Sequence, residues 1–294
     1  MRYICAADLH IRPDKPLCRA ESHEEWIEVQ FKKLSFILDL STQHGATLLI
    51  AGDFAHRATD WPSWLTSRLI TLLSHHSQPI IAIPGQHDLP YHQLASIWSS
   101  NLGVLNAAGT LSLDDLGPVH TYPYGISIDP VKQGSVALTH QMILQSEKDE
   151  IWKGQIKEGK GNPAKRILKS NPNYQLIVSG DNHQPFAVEY EGRWLINPGS
   201  MTRQRSNERH SPGVYLYVKG KDPERILLPF DPEAVLEKEE KMDWEIEIDN
   251  SKSNTFIESM SNTEKLNYSD AIQSYLKSHK VSINVQKRLL ERKT

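Results

Sequence analysis

The run Arg2-Tyr3-Ile4-Cys5-Ala6-Ala7, followed at once by Asp8-Leu9-His10, is the stretch on which the fold turns. Its apolar and aromatic residues read as a buried strand, and a carboxylate and an imidazole stand where that strand ends. In an extended segment residues i and i+2 face the same way, so Asp8 and His10 are expected to enter one site. The arrangement recurs. Thr47 to Ala51 leads into Gly52-Asp53-Phe54-Ala55-His56, and Pro79 to Ile83 leads into Gly85-Gln86-His87-Asp88. Ser135 to Thr139 ends at His140, and Gln175 to Ser179 ends at Gly180-Asp181-Asn182-His183, where 181 and 183 repeat the i, i+2 spacing. Gly52, Gly85 and Gly180 suit sharp turns where backbone approaches closely. Open α/β sheets carry their sites at such carboxyl ends.

Between these strands the period changes. Ile27, Phe31, Leu34 and Leu38 mark one amphipathic helix, with Gly45 as its stop signal, and Leu65, Leu69, Leu72 and Leu73 mark another. Strand–helix alternation predicts a layered α/β fold. Phe186 to Ile196 and Gly213 to Val218 read as consecutive strands without helices, so the sheet is expected to be mixed. The composition shifts after about residue 230, with the acidic run Glu237-Lys238-Glu239-Glu240. A strand-like Trp244 to Ile248 and helical spacing at Val281, Val285 and Leu289 follow. The expected division is a main domain over 1–230 and a small α/β appendage over 231–294.

Composition sets limits. Hydrophobic residues make up 38% of the 294, enough for a sizeable core. No apolar stretch has the length of a membrane span, and the first residues enter a strand without the features of a signal peptide, so a cytosolic protein is expected. Cys5 and Cys18 make neither a disulfide framework nor a zinc site. The net charge of −3 neither supports nor excludes nucleic acid. No GxxxxGK[ST] phosphate loop occurs, which removes that route to ATP. His23, His44, His75, His76 and His279 read as surface histidines.

Successive strand ends offering carboxylate, amide and imidazole without thiolate suit Mn²⁺, Mg²⁺ or Fe²⁺ better than structural zinc. The ordered set resembles the calcineurin-like metallophosphoesterases, whose motifs run DxH, GDxxH, GNHD, a lone His and GHxH. The resemblance covers roughly residues 1 to 218. It implies a sandwich of two mixed sheets flanked by helices, holding two divalent ions, with Mn²⁺ first and Mg²⁺ next. Carried over, Asp8, His10, Asp53 and His183 hold one ion, and Gln86, His140 and Asp181 hold the other, with Asp53 bridging. His87 acts on the substrate and Asp88 orients its ring.

The chain departs from the pattern twice, with Gln86 in place of Asn and Asp181 in place of the first His of GHxH. Both keep an atom able to bind metal. The formal charge of the loaded centre comes to about zero, roughly one unit below the usual arrangement.

Within that family the segment Asp53-Phe54-Ala55-His56-Arg57 resembles the second motif of SbcD-type DNA exonucleases, where His56 helps to seat a terminal nucleotide. Asn197-Pro198-Gly199-Ser200-Met201-Thr202-Arg203 resembles the NPGS segment of phage-type members; its Gly-Ser turn and Arg203 suit a phosphate. The short tail is similar to their reduced capping and partner-binding region. A basic segment from Lys153 to Lys169, with Lys157, Lys160, Lys165 and Arg166, is expected on the metal rim along a DNA backbone. Tyr91 and His92 suit stacking on a terminal base. This resemblance implies a 3′-to-5′ exonuclease with some endonuclease activity, an SbcC-like ATPase partner, a homodimer, and a bacterial or phage-encoded setting in DNA repair. Two other readings stay open: a small-molecule phosphodiesterase or phosphatase, and a DNA-end-binding scaffold whose site has decayed.

Overall fold

A computed structural model describes residues 1–16, 18–19, 25–132, 135–146, 162–205, 208 and 210–230. The first sheet is built on β1 (Arg2–Ala6), whose parallel neighbour is β2 (Thr47–Ile50) and beyond it β3 (Ile80–Ala82). On the other side β11 (Gly213–Val218) runs antiparallel to β1 and β12 (Glu224–Leu227) closes the edge, giving the order β12-β11-β1-β2-β3. The second sheet runs β4-β5-β8-β10-β9, from β4 (Val119–Tyr122), β5 (Val136–His140), β8 (Leu176–Gly180), β10 (Arg193–Asn197) and β9 (Phe186–Tyr190). Only the β9–β10 pair is antiparallel there, so both sheets are mixed. A short ladder joins β6 (Ile143–Leu144) to β7 (Asn162–Pro163).

The period of two along each strand sorts the core into layers. Tyr3, Cys5, Leu49 and Ile81 of the first sheet pack with Val136, Leu138, Leu176, Val178 and Ile196 of the second. The alternate residues Ile4, Leu48 and Ile50 face outward onto Phe31, Leu34 and Leu38 of α1 (Trp26–His44) and Leu65 and Leu69 of α2 (Ser63–Ser74). On the far side Ala137, Ile177 and Leu195 meet Ala164 and Leu168 of α4 (Ala164–Ser170). The result is two mixed sheets face to face with helices on their outer surfaces. Neither α1 nor α2 starts with a side-chain cap. A missing cap costs about 1 kcal/mol, less than the roughly 1.5–3 kcal/mol from burying one leucine, so the packed face holds each helix.

Gly45 ends α1 in the left-handed conformation (φ 53), its N–H reaching the Ser41 and Thr42 carbonyls, as its place after the periodic run suggests. The strand expected over Phe186 to Ile196 is two. Glu191 and Gly192 both take positive φ (54 and 73) and turn the chain into a tight hairpin. β4, β12 and the short helix α3 (Asn101–Ala107) were not marked by any sequence pattern; each is short. All described residues fall in one compact unit. The expected appendage over 231–294, and Lys153, Lys157 and Lys160, lie outside the described residues. Among the described residues no helix is long and apolar enough to cross a membrane.

Candidate metal centre

At the carboxyl ends of β1, β2 and β8 the backbone leaves the ordinary regions. Asp8 (φ 50), His10 (φ 47), Asp53 (φ 50) and Asp181 (φ 78) are all left-handed, a conformation that costs a non-glycine residue about 1–3 kcal/mol. Asp8 and His10 therefore do not reach a common site by simple extended alternation. Their loop is held against the next one: Asp8 N–H donates to the Gly52 carbonyl (3.1 Å) and His10 N–H to the Asp53 carbonyl (2.9 Å). A Cβ on Gly52 would overlap the His140 ring, and one on Gly85 would overlap the Asp53 carboxylate. Those two glycines let the ligand-bearing turns close on one another.

The turns bring three overlapping sets of ligand atoms together, each within 4.8 Å: Asp8, His10 and His183; Asp8, Asp53 and His140; His10, His56 and His87. Tautomers are fixed from behind. His140 Nδ1 donates to the Ala51 carbonyl (2.7 Å), His87 Nδ1 to the His56 carbonyl (2.8 Å), and His183 Nδ1 to Glu208 (2.9 Å). Each bond commits Nδ1 and turns Nε2 toward the cluster. Two couples of candidate ligand atoms then meet at hydrogen-bond distance. His10 Nε2 lies 3.1 Å from His183 Nε2, and Gln86 Oε1 lies 2.8 Å from His140 Nε2. Asp53 Oδ2, buried and without a hydrogen-bond partner, sits 3.9 Å from His10 Nε2 and 3.5 Å from His140 Nε2.

Charge is out of balance in the same way. Burial pushes the Asp8 carboxyl up to about 7, against the pull of the His183 and His140 imidazoles. Burial would depress His140, but Asp53 and Asp8 outweigh it and hold it at about 10. His183 is likewise held at about 9 against burial by its bond to Glu208 and by Asp8. Burial would raise Asp53, yet the neighbouring imidazoles, His140 first, hold it well below the usual carboxylate range. Burial drives His10 well below the ordinary imidazole value, and burial with Arg12 and His87 takes His56 down to about 3. The cluster draws positive charge onto itself.

The Calcineurin-like phosphoesterase superfamily domain matches residues 1–220. The chain belongs to this superfamily. Members are generally metal-dependent hydrolases, and the residues here fit that requirement. Converging ligand atoms and an orphaned buried oxygen between them are what divalent ions satisfy. No curated protein matches the sequence. Among solved structures, this phosphoesterase is similar to an archaeal phosphodiesterase at 15% identity (TM-score 0.42), over 78% of this chain and 100% of that one. It is similar to a putative 5′-nucleotidase from Staphylococcus aureus at 10% identity (TM-score 0.44), over 88% of this chain and 58% of that one. It is also similar to the phosphopantetheinyl hydrolase of Mycobacterium tuberculosis at 15% identity (TM-score 0.41), over 71% and 92%.

Several expected roles in this phosphoesterase take a different form. The Asp88 carboxylate does not meet the His87 ring; it accepts the N–H groups of Gly85 (3.0 Å), Phe54 (3.1 Å) and Ala55 (2.8 Å) and fastens two ligand turns together. Asp181 does not join the converging sets, and its Oδ1 accepts the Gln86 amide N–H at 2.8 Å. The Gly199–Ser200 turn has no N–H to offer a phosphate, because Gly199 N–H is bound to Asn197 and Ser200 N–H to the His183 carbonyl. The Ser200 hydroxyl is buried 3.0 Å from His210 Nε2, and Arg203 Nε donates to the His210 carbonyl (3.0 Å). Lys165 does not reach the metal rim. It lies over the Tyr190 ring, which pairs with Arg193 at the start of β10, away from Asn197; Arg166 is exposed on the same helix.

Other named residues stand beside the cluster. His56 stacks 5.4 Å from His87, with the rings 18° apart. His92 Nδ1 donates to the Gln86 carbonyl (3.1 Å), and Tyr91 beside it is 88% exposed, both with φ 56. Glu208 is the functional residue that sequence reasoning missed. It is fully buried, bonds His183 through one oxygen and accepts Gln204 N–H through the other at 2.7 Å. It stands in a polar segment without periodicity, and only the fold brings it behind a ligand.

Proposed function

We propose that this phosphoesterase hydrolyses phosphodiesters at DNA ends, as the nuclease subunit of an SbcCD-like complex, with Mn²⁺ as its first metal and Mg²⁺ as the next. The observation that supports it is the pairing of His56 with His87 beside the metal-ligand cluster, where His56 also feels the Arg12 and Arg57 guanidiniums. Asp8, His10 and His183 would hold one ion, and Gln86 and His140 the other, with Asp53 between them. Bound there, two divalent ions supply an activated water and neutralise the phosphate charge. The protein's own part is positional. His87, with Nδ1 committed to the His56 carbonyl, keeps Nε2 for the phosphate or the leaving oxygen. Asp53 spends one oxygen on His87 N–H (2.9 Å), which ties the position of that imidazole to the metal bridge. An SbcC-like ATPase and a second copy of the chain are the partners this reading carries, in the cytosol.

The distance of Lys165 from the cluster favours a second reading, a phosphodiesterase of small nucleotides that needs no backbone track. The test is degradation of an end-labelled linear duplex with Mn²⁺, beside metal-free, Asp53→Ala and His87→Ala controls. Metal-dependent loss of nucleotides from the ends is expected, falling about 10²–10⁴-fold in His87→Ala with its metals retained. Cleavage of a cyclic nucleotide with DNA left intact would replace the first reading with the second. DNA-end binding with fewer than two ions and no hydrolysis would leave a scaffold.

A further inference from the structure

Gln86 and Asp181 are the two positions where the chain departs from its family's ligand pattern, and they touch. Gln86 Nε2 donates to Asp181 Oδ1 at 2.8 Å, and Gln86 Oε1 faces His140 Nε2 at 2.8 Å. A primary amide has one end that binds a cation and one end that does not. The two ends are nearly equal in size, so an amide beside a metal needs a partner that tells them apart. The Asp181 carboxylate accepts and cannot donate, which leaves the oxygen as the end turned to His140. An imidazole at 181 with its lone pair on a metal would have no acceptor left for the amide N–H. Asp181 is itself placed from both sides: its backbone is left-handed, and its N–H reaches both Asp8 oxygens at 3.1 and 3.2 Å. Its side chain stays out of the converging ligand sets.

We propose that Asp181 is a positioning residue that holds the Gln86 amide with Oε1 toward the ion shared with His140, so that an orienting pair stands in place of two independent ligands. The inference rests on the metal centre and not on DNA as the substrate. The test reads metal directly, by Mn²⁺ titration of the full chain followed by electron paramagnetic resonance. Asp181→Leu is expected to weaken the second ion by about 10–100-fold and the first by much less. Asp181→Asn keeps an acceptor oxygen and should hold the second-ion affinity within about threefold, since only a charge-bearing ligand would lose more. Gln86→Ala should cost as much as Asp181→Leu, and the double variant no more than either, because one residue acts through the other. Additive losses, an Asn variant as weak as the Leu variant, or a wild-type chain with one ion would each overturn the inference. If the Leu variant fails to fold, Asp181→Ala takes its place and is read against the Asn variant in the same way. A failure to cut DNA leaves this result standing, because nothing in it depends on turnover.

Discussion

At the carboxyl ends of the central strands, Asp8, His10, Asp53 and Asp181 hold left-handed backbone around converging carboxylates and imidazoles. At the other end of the second sheet, Lys165, Lys169 and Arg193 gather over the Tyr190 ring at 5.3, 5.4 and 5.6 Å, on ordinary helix and strand. The first end is strained and incomplete without cations, whereas the second is a satisfied surface. The concentrated positive charge and the ligand cluster therefore lie at opposite ends of that sheet. Stored strain and converging ligand atoms are what set the candidate site apart.

The sharpest way to break this comparison is to remove a support of the strained end. Glu208→Gln keeps the size of the side chain but takes the charge from behind His183. It is expected to lower affinity for the ion that His10 and His183 would hold by about 10–100-fold, read by metal titration at constant pH. An unchanged affinity would mean that the incomplete end holds itself without its backing.

A second support lies beneath the site. Lys33 is buried, and its ammonium donates to the Met201 carbonyl (2.9 Å), while Met201 N–H donates to the Asp8 carbonyl (3.1 Å). Burial, with Arg19 and Arg203, lowers this lysine to about 7. The unfolded chain binds the proton more readily between about pH 7 and 10.4, so Lys33 contributes stability that is lost as pH falls through that window. Lys33→Met should lack that dependence. In urea melts its stability relative to wild type should improve by up to about 1.4 kcal/mol for each pH unit from 9.5 down to 7. Parallel curves for the two proteins would show that Lys33 is not desolvated.

The smallest effect belongs to the satisfied end. On the nuclease reading, Lys165→Ala with Arg166→Ala should change DNA affinity by less than about twofold, while a backbone contact would alter the salt dependence as well. A tenfold loss with a shallower salt slope would place the nucleic acid across the far end of the sheet and erase the contrast drawn here.

Much of the fold was legible because strands and helices announce themselves by period. β1, β2, β3, β5 and β8 fall within a residue or two of their apolar runs, and α1 stops at Gly45. The hairpin at Glu191–Gly192 was read through, although the polar Glu191-Gly192-Arg193 break carries a glycine that suits a turn. In the site, the motif residues Asp8, His10, Asp53, His140 and His183 could be named from their strand-end positions, and the structure brings all five together. The role given to Asp88 could not be read correctly. Its neighbour in sequence is His87, but its neighbours in space are the N–H groups of another turn.

The sequence by itself determined which strands form, which helices cover them and which side chains stand at their ends, because those follow from local period and from the turns glycine permits. Tertiary structure decided what faces what. It set Glu208 behind His183, turned the Gln86 amide toward Asp181, spent the Gly199–Ser200 N–H groups on the loop itself and carried Lys165 to the far end. Each of those outcomes is a contact between segments distant in the chain or a choice between competing partners. Such choices are settled only when burial has removed water as the alternative partner.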